Sequence, residues 1–547
     1  MRGLAGIAAV AAAFATAGAA PAAHLLPAQR AALVVLHHAL ATGQISPVTA
    51  ALDRAEVNRA ARLINSLPSG RSEPVAVALG EIAGFPARMT PTRAAALFGQ
   101  LRANDDYFAH RSAPPDRTDI TGAGGIVYRY FAGRCFEFHP LAEFGALNAR
   151  VSARDAKGAR RLANALLARG VHQLGGIAWE YYFGFGGGRP PWLSGMAQAV
   201  AAQAFARAAA LLPRERKVLL AAGRSAYRVI PAGLVTPVSA GPWIRLYGFD
   251  GLAVLNAQLQ TVLSLHVYAV GAHDRHAARF DAKLREAAAA MLPRFDTGYW
   301  TYYALAGRPS TLHYQDYVVR LLGKLSSADR RFARAAKRFA AYGHQPPAFV
   351  LAPGGNDELR FWLSKPATVT ASSPAGSTQR VALMDGWHTL VWEKPARRGI
   401  YPLEVSAADW AGNRASFETL PIVRLTGPAG SGAVFGNQRP RRAGHLRSGL
   451  EFPIRLFRDQ PASVVLTCAR DCLYLITLDD KFARPVAARR GALRGGGRPL
   501  RLALPRVKLI RKKYRLEVRL VDRVDPGSVK YVRTRLLSVW RPQSVSP

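Results

Sequence analysis

Cysteine is scarce. Three in 547 residues exclude a disulfide scaffold and a cysteine-rich zinc protein. Lysine is scarce as well: only 12 of the 74 basic residues, the other 62 being arginine. Acidic residues number 35, which leaves a net charge of +39. Such an arginine excess, beside so much alanine, glycine and proline, reads as high-GC coding bias as readily as nucleic-acid binding, so the charge alone assigns no partner. The GxSxG elbow, the HExxH pair and the P-loop are all missing. The 13 histidines offer no paired metal spacing, since the adjacent His37 and His38 would point different ways on a helix. Apolar residues are plentiful at 49%, with 9% aromatic, which excludes a wholly disordered chain. The length predicts three or four domains.

The amino terminus has the layout of an export signal. Arg2 precedes an apolar run over 4–15, and Ala17-Gly18-Ala19 and Ala20-Pro21-Ala22 both fit a small-residue cleavage site. Residues 1–23 are therefore expected to be a signal peptide, the other reading being an uncleaved anchor. No lipid-accepting cysteine follows. Later, the most apolar stretch is 252–271, but Asn256, Gln258, Gln260, Ser264 and His266 interrupt it, so it predicts a buried helix and not a membrane span. Export points to a secreted or envelope-associated protein and away from nucleic acid. It also allows Cys468 and Cys472 to pair. Cys135 then remains as a buried apolar residue.

The chain divides by texture. Residues 24–118 are helical and rich in Ala and Leu, with breaks at Pro68-Ser69-Gly70 and Gly84-Phe85-Pro86. A strand is expected at 126–131, and Ser152 is expected to cap a helix running to Gly170. Further helices are predicted at 194–212, 277–291, 311–325 and 328–341, with Leu252, Leu255, Leu259 and Leu263 on one stripe. Short Gly/Pro breaks between them suit a toroid or bundle of antiparallel hairpins over 119–345. After Gln345-Pro346-Pro347 short β runs take over. Tyr401, Leu403, Val405 and Ala407 share one strand face, and Asp409-Trp410-Ala411-Gly412-Asn413 makes a turn that resembles bacterial immunoglobulin-like modules. Two tandem β-sandwiches are expected, at 346–427 and 428–547, with a linker over 428–432. Residues 431–547 carry 26 basic and 8 acidic residues, densest over 506–515. That suits either a polyanionic envelope polymer or a solvated strand face.

Chemistry is expected in the helical middle, where aromatics and carboxylates cluster. Trp179-Glu180-Tyr181-Tyr182 precedes the glycine-rich run 184–188, which lacks a P-loop lysine and reads as a flexible loop beside a cleft. Trp192 opens a helix, Tyr247 sits in Leu246-Tyr247-Gly248-Phe249, and Asp296-Thr297-Gly298 is followed by Tyr299, Trp300, Tyr302 and Tyr303. His313-Tyr314-Gln315-Asp316-Tyr317 opens the next helix. Trp and Tyr in such numbers suit stacking on sugar faces and hydrogen bonding to hydroxyls.

At these residues the sequence resembles the D-glucuronyl C5-epimerases, over about 126–342. Phe138 to Leu147 is similar to the family's Tyr-Pro-x-x-x-Ala-Gln-Tyr-x-Leu stretch, and Trp192-Leu193-Ser194-Gly195-Met196-Ala197-Gln198 to its Trp-x-Ser-x-Met-x-Gln helix start. Leu255-Asn256 matches its Leu-Asn, and Leu292-Pro293-Arg294-Phe295-Asp296-Thr297-Gly298 its Leu-Pro-x-Tyr-Asp-Thr-Gly turn. The resemblance implies an incomplete α/α-barrel and no metal or nucleotide cofactor. It implies that Tyr314, Tyr303 and Tyr247 are catalytic and that Trp192, Ser194 and Gln198 meet the substrate. The chain departs from the pattern at Leu246, where the family has Glu, at Gly248, where it has Pro, and at Gln315, where it has His. Only 44 residues separate Arg150 from Gly195, so the β-domain that animal members insert has no room. For a carboxylate base, Glu180, Asp250 and Asp316 are available, with Glu180 preferred for its aromatic setting. Arg189, Arg245 and Arg308 are candidate carboxylate clamps.

The expected fold is thus multidomain α and β: an α/α-barrel-like toroid followed by two immunoglobulin-like β-sandwiches. The expected function, on the resemblance, is inversion at C5 of glucuronate residues in an acidic polysaccharide. Two alternatives stand beside it: a uronate polysaccharide lyase, which begins with the same proton abstraction, and a glycan-binding surface protein that does not catalyse.

Overall fold

The structure, a computed structural model, describes residues 25–305, 307–351, 358–373, 376–391, 403–419, 448–453, 456–457, 461–480, 485–496, 498–505, 509, 513–522, 529–534 and 537–540. The expected signal segment, the linker over 428–432 and most of the basic run 506–515 lie outside the described residues. The chain forms two compact units, one of residues 1–139 with 181–191, the other of 140–180 with 192–547.

The first unit begins with four helices, α1 (Pro27–Ala41), α2 (Pro47–Ser66), α3 (Ser69–Ala83) and α4 (Pro91–Phe108). Local chemistry sets their starts. Ser46 and Thr90 accept the N–H groups of Thr49 and Arg93, and a proline follows each cap, where its missing N–H costs nothing. A small sheet follows, β1 (Asp119–Thr121), β2 (Val127–Tyr130) and β3 (Phe136–Phe138), in the order β1-β2-β3. It is sewn to α4 through buried amides. Asn104 accepts from the Phe136 N–H at 2.9 Å and donates back to the Phe136 carbonyl at 2.8 Å. Gln100 accepts from the Phe138 N–H at 2.8 Å. Cys135 is fully buried, as expected, and burial pushes its thiol up.

The second unit opens with helices in hairpins: α5 (Pro140–Ser152) and α6 (Ala156–Leu167), α7 (Gly195–Leu211) and α8 (Arg216–Gly233), α9 (Leu255–Gly271) and α10 (Arg275–Phe295), α11 (Leu312–Leu325) and α12 (Arg330–Tyr342). Each even helix packs on the odd one before it, and α5, α7, α9 and α11 pack successively on one another. α7 and α9 are consequently apolar on nearly all sides, and alanine fills α7 where neighbouring helices press closest. The 252–271 stretch is the buried helix expected, and no described helix is long and apolar enough to cross a membrane. Leu252 precedes the helix, so it falls off the predicted stripe.

Ser152 does not cap α6. It is the last residue of α5, and Asp155 is the cap, accepting from the Gly158 N–H at 2.8 Å. Both residues are good caps by type, and the tight turn between the helices decides which one is used. Three two-stranded ribbons link the hairpins: β4 (Val171–Gln173) with β5 (Gly176–Ala178), β6 (Val235–Val238) with β7 (Gly241–Ile244), and β8 (Tyr302–Ala304) with β9 (Arg308–Pro309).

Beyond α12 the chain is β. β10 (Phe349–Leu351), β11 (Glu358–Leu363) and β14 (Gly386–Val391) form one antiparallel sheet. β12 (Ala367–Ser373), β13 (Gly376–Leu383), β15 (Leu403–Asp409) and β16 (Arg414–Thr419) form another, in the order β13-β12-β15-β16. The expected turn at 409–413 joins β15 to β16, with Gly412 at φ +86°. A later set follows: β17 (Ser448–Glu451), β18 (Leu456–Phe457), β19 (Ser463–Cys468), β20 (Cys472–Asp480), β21 (Pro485–Leu493), β22 (Leu500–Ala503), β23 (Lys513–Asp522), β24 (Val529–Arg533) and β25 (Leu537–Trp540). Its core is the alternate face of β19, β20 and β23, including Val464, Leu466, Ile476, Leu516, Val518 and Leu520. Cys468 and Cys472 are disulfide-bonded, with Cα atoms 6.3 Å apart.

Candidate active site

The segments that enter α7, α9 and α11 are zipped together by backbone hydrogen bonds. The Gly195 N–H donates to the Arg245 carbonyl at 2.9 Å, and the Gly248 N–H to the Leu193 carbonyl at 2.7 Å. Arg245 pairs with Ala253, and Val254 with Ala304. The Leu305 N–H closes on the Ala253 carbonyl at 3.1 Å. Two glycines make this approach possible. A Cβ on Gly195 would stand 2.5 Å from Ile244 Cδ1, and one on Gly248 would stand 3.0 Å from the Leu193 oxygen. Proline at 248 would also forfeit the donor to Leu193, so the departure from the family pattern at Gly248 has a structural reason here.

This ladder brings together aromatics that lie far apart in sequence. Trp192 meets Tyr247 edge-on with ring centroids 5.8 Å apart, and meets Phe249 at 5.5 Å. Tyr247 and Phe249 stack at 5.6 Å. Tyr303 and Tyr314 have their centroids 4.8 Å apart, tilted by 52°. Tyr303 reaches this place from β8, and Tyr314 from the first turn of α11, whose cap Thr311 accepts the Tyr314 N–H. The phenols of Tyr303 and Tyr247 neighbour each other closely enough that each shifts the other's hold on its proton. Their interaction holds the Tyr303 phenol up and the Tyr247 phenol down. Burial is the largest influence on both and pushes both phenols above their ordinary value, Tyr303 much further. The charge of Arg308, an exposed side chain, pulls both down.

The structure therefore gathers Trp192, Tyr247, Tyr303, Tyr314 and Arg308. Glu180 is buried at 2% exposure and accepts from Gln173 Nε2 at 3.0 Å across the β4–β5 ribbon. The carboxylate whose charge reaches Tyr247 is Asp250, which also accepts the Leu252 N–H at 3.1 Å. Asp316 is exposed on α11. Leu246, where the family has Glu, is buried.

The polar residues of the Trp-x-Ser-x-Met-x-Gln match turn inward. Ser194 is the N-cap of α7 and accepts from the Ala197 N–H at 3.3 Å. Gln198 is fully buried: it accepts from the Trp179 N–H at 3.1 Å and donates to the Ile177 carbonyl at 3.0 Å and the Ala226 carbonyl at 3.4 Å. Its amide is fully engaged with backbone. Gln315 is likewise buried, accepting from the Thr301 hydroxyl and donating to the Phe339 carbonyl at 2.8 Å. Asp296 accepts from the Gly298 N–H at 2.8 Å and the Tyr342 hydroxyl at 2.7 Å, and is paired with Arg338. The Asp-Thr-Gly turn thus shapes the approach to Tyr303 and bears no free carboxylate.

Of the candidate clamps, Arg245 is half-buried. Its Nε is a buried donor that finds no acceptor among the described residues, and its Nη1 reaches the Gly248 carbonyl only at 3.5 Å. Arg189 is exposed and belongs to the first unit. Sequence reasoning missed Phe249 as a site aromatic. It also passed over Asn256, whose Oδ1 is buried in the first turn of α9 without a donor among the described residues. An open cavity of about 580 Å³, lined by Arg224, Tyr227, Arg228 and the 273–276 turn, shares no residue with the tyrosine cluster.

Residues 174–340 match the family model described as the D-glucuronyl C5-epimerase C-terminus. No curated protein matches the chain. Among solved structures, a D-mannose isomerase is similar at 13% identity over 38% of this chain, with a TM-score of 0.30; the match spans 59% of that isomerase. The FN1–FN3 domains of chicken CNTN1 are similar at 10% identity over 35% of this chain and 68% of that one, with a TM-score of 0.13. Neither structural likeness bears on fold or function at these scores.

Proposed function

We propose that this chain, whose residues 174–340 match the C-terminal domain of the D-glucuronyl C5-epimerases, inverts C5 of glucuronate residues in an acidic polysaccharide. The observation that carries the reading is the Tyr247–Tyr303–Tyr314 cluster beside Trp192 and Arg308. The helical hairpins of 119–345 then form an incomplete α/α toroid, with the cluster at the ends where α7, α9 and α11 begin. The β regions are two immunoglobulin-like sandwiches. The chain is exported, and its arginine-rich end, 431–547, holds a polyanionic envelope polymer.

H5 of glucuronate is acidified by the adjacent carboxylate. One group must remove it, and a second group on the other face must return a proton to C5. Atoms balance, because the base gains one proton and the acid loses one. Tyr247 is the base: burial holds its phenol up, and Tyr303 and Arg308 act against that burial in favour of the phenolate. Tyr314 is the acid on the opposite face. The intermediate carries extra charge on the substrate carboxylate, which Arg308 and Arg245 hold; the Arg245 Nε, buried without an acceptor among the described residues, supports that role. Trp192 gives a face for a sugar ring.

The test is incubation with glucuronate polymers in D₂O. Deuterium at C5 with iduronate formation is expected. Ultraviolet-absorbing unsaturated ends would instead mean a lyase. One observation favours the second reading, a protein that binds glycan without catalysis: Leu246 is apolar and buried where the family has Glu. That reading predicts polymer binding with neither exchange nor cleavage.

A further inference from the structure

We infer that Lys365, in the β-rich region beyond the family match, is a positioning residue for Tyr303, and that the β regions complete the site. This rests on the epimerase reading for its kinetic consequence, but not for its geometry.

Lys365 lies in the turn between β11 and β12 and is 1% exposed. A buried ammonium is costly unless it is fully paired. Here its Nζ meets Asp409 Oδ2 at 2.6 Å and donates to the Tyr342 carbonyl at 2.7 Å and to the Gln345 carbonyl. Asn413 adds a bond to the Gly343 carbonyl at 2.8 Å. Two residues of the β sheet thus satisfy the carbonyls that end α12. Asp409 is itself fixed, accepting the N–H groups of Ala411 and Asn413.

The same Nζ stands 5.4 Å from the centre of the Trp300 ring. Trp300 is three residues before Tyr303, is buried, and closes its hairpin by donating Nε1 to the Ser310 carbonyl at 2.7 Å. A second path leads from the Lys365-bound end of α12. The Tyr342 hydroxyl holds Asp296, whose carboxylate shapes the turn into Trp300.

The later β set presses on the same hairpin from other residues. Gly298, at φ +87°, would place a Cβ 3.6 Å from Leu475 Cδ1 and 4.0 Å from Ala488 Cβ, on β20 and β21. The Tyr302 phenol is pushed up by burial and by the charges of Asp385 and Asp479. Residues 296–303 therefore lie beside Lys365, which Asp409 holds, and beside Leu475 and Ala488, all outside 174–340. Tyr303 meets Tyr247 because that hairpin is held.

The test uses the full chain labelled with 3-fluorotyrosine, with the Tyr303 ¹⁹F resonance assigned by its loss in Tyr303→Phe. The double variant Lys365→Met/Asp409→Leu removes the pair without stranding a charge. Its Tyr303 resonance is expected to shift or broaden, while that of Tyr268, bound to Asp274 at the far end of α9, stays in place. C5 exchange should fall at least about tenfold in kcat with KM within about twofold, the pattern of a misplaced catalytic group. Asp409→Asn, which keeps the side chain's shape, should give a smaller change in the same direction and carries the test if the double variant does not fold. An unmoved Tyr303 resonance in folded variants overturns the inference. If the unaltered protein shows no exchange, the epimerase reading falls and the resonance still decides the role of Lys365.

Discussion

Tyr303 and Tyr247 neighbour each other, and their interaction holds the Tyr303 phenol up and the Tyr247 phenol down, so two phenols of the same kind differ in their hold on a proton. Burial raises both, but their interaction favours the phenolate of Tyr247 and the neutral form of Tyr303. Tyr303→Phe removes the influence that lowers Tyr247 and therefore raises it further. If Tyr247 is the base, the rising limb of exchange against pH moves to higher pH in the variant. At neutral pH the rate falls by about 10–10² for one lost interaction with a developing charge. A pH profile of C5 exchange checks this; a profile that does not move removes Tyr247 from the role of base.

Gln198 was a substrate contact on sequence pattern, and the structure makes it a tie between backbone segments. Gln198→Ala leaves the Trp179 N–H and the Ile177 carbonyl without their side-chain partner in the interior, at about 1–3 kcal/mol for each buried group stranded. Thermal melting should drop clearly. Glycan affinity of the fraction that folds should stay within about twofold. A loss of affinity with unchanged melting would make Gln198 a substrate contact instead.

Gly195→Ala probes the ladder that assembles the site. The added Cβ meets Ile244 Cδ1 at 2.5 Å and the Arg245 carbonyl at 2.8 Å. Overpacking of this kind costs about 1–3 kcal/mol and shifts the segment carrying Tyr247. Both melting temperature and exchange should decline together, and a variant with normal values of both would show that the close approach is not needed.

Asp53 gives a pH dependence of stability unconnected with catalysis. Burial pushes its carboxyl up to about 7, opposed by Arg102 and reinforced by Glu56. The folded chain keeps a proton that the unfolded chain releases near the ordinary 3.8, so stability falls as pH rises between those values and stays reduced above pH 7. Asp53→Asn removes that loss. Melts at pH 5 and pH 8.5 should show the variant gaining on the unaltered protein at the higher pH; an equal gap at both values contradicts the assignment.

How much was legible depended on the range of the contact. Ser194 and Thr311 were readable as helix starts because a cap is a local matter of one side chain and the next turn. Ser152 misled for the same reason, since two good caps lay three residues apart and only the turn could choose. The gathering of Tyr247, Tyr303 and Tyr314 was readable as a pattern of motifs, whereas the interaction that separates two of them in acidity was not. The ladder from Leu193 through Arg245 and Ala253 to Ala304 and Leu305 is made by backbone atoms and leaves only its glycines in the sequence. Lys365 left no local sign at all, because its partners lie between 20 and 65 residues away.

Solvent exchange at C5 is the measurement that bears most directly on the central claim. Glucuronate polymer is incubated in D₂O with the unaltered protein and with Tyr314→Phe, and C5 deuterium is read by NMR. Incorporation with iduronate signals for the unaltered protein, reduced about 10²–10⁴-fold in a Tyr314→Phe variant that melts normally, is the predicted result. Polymer that is bound by the unaltered protein but keeps every C5 proton would contradict it.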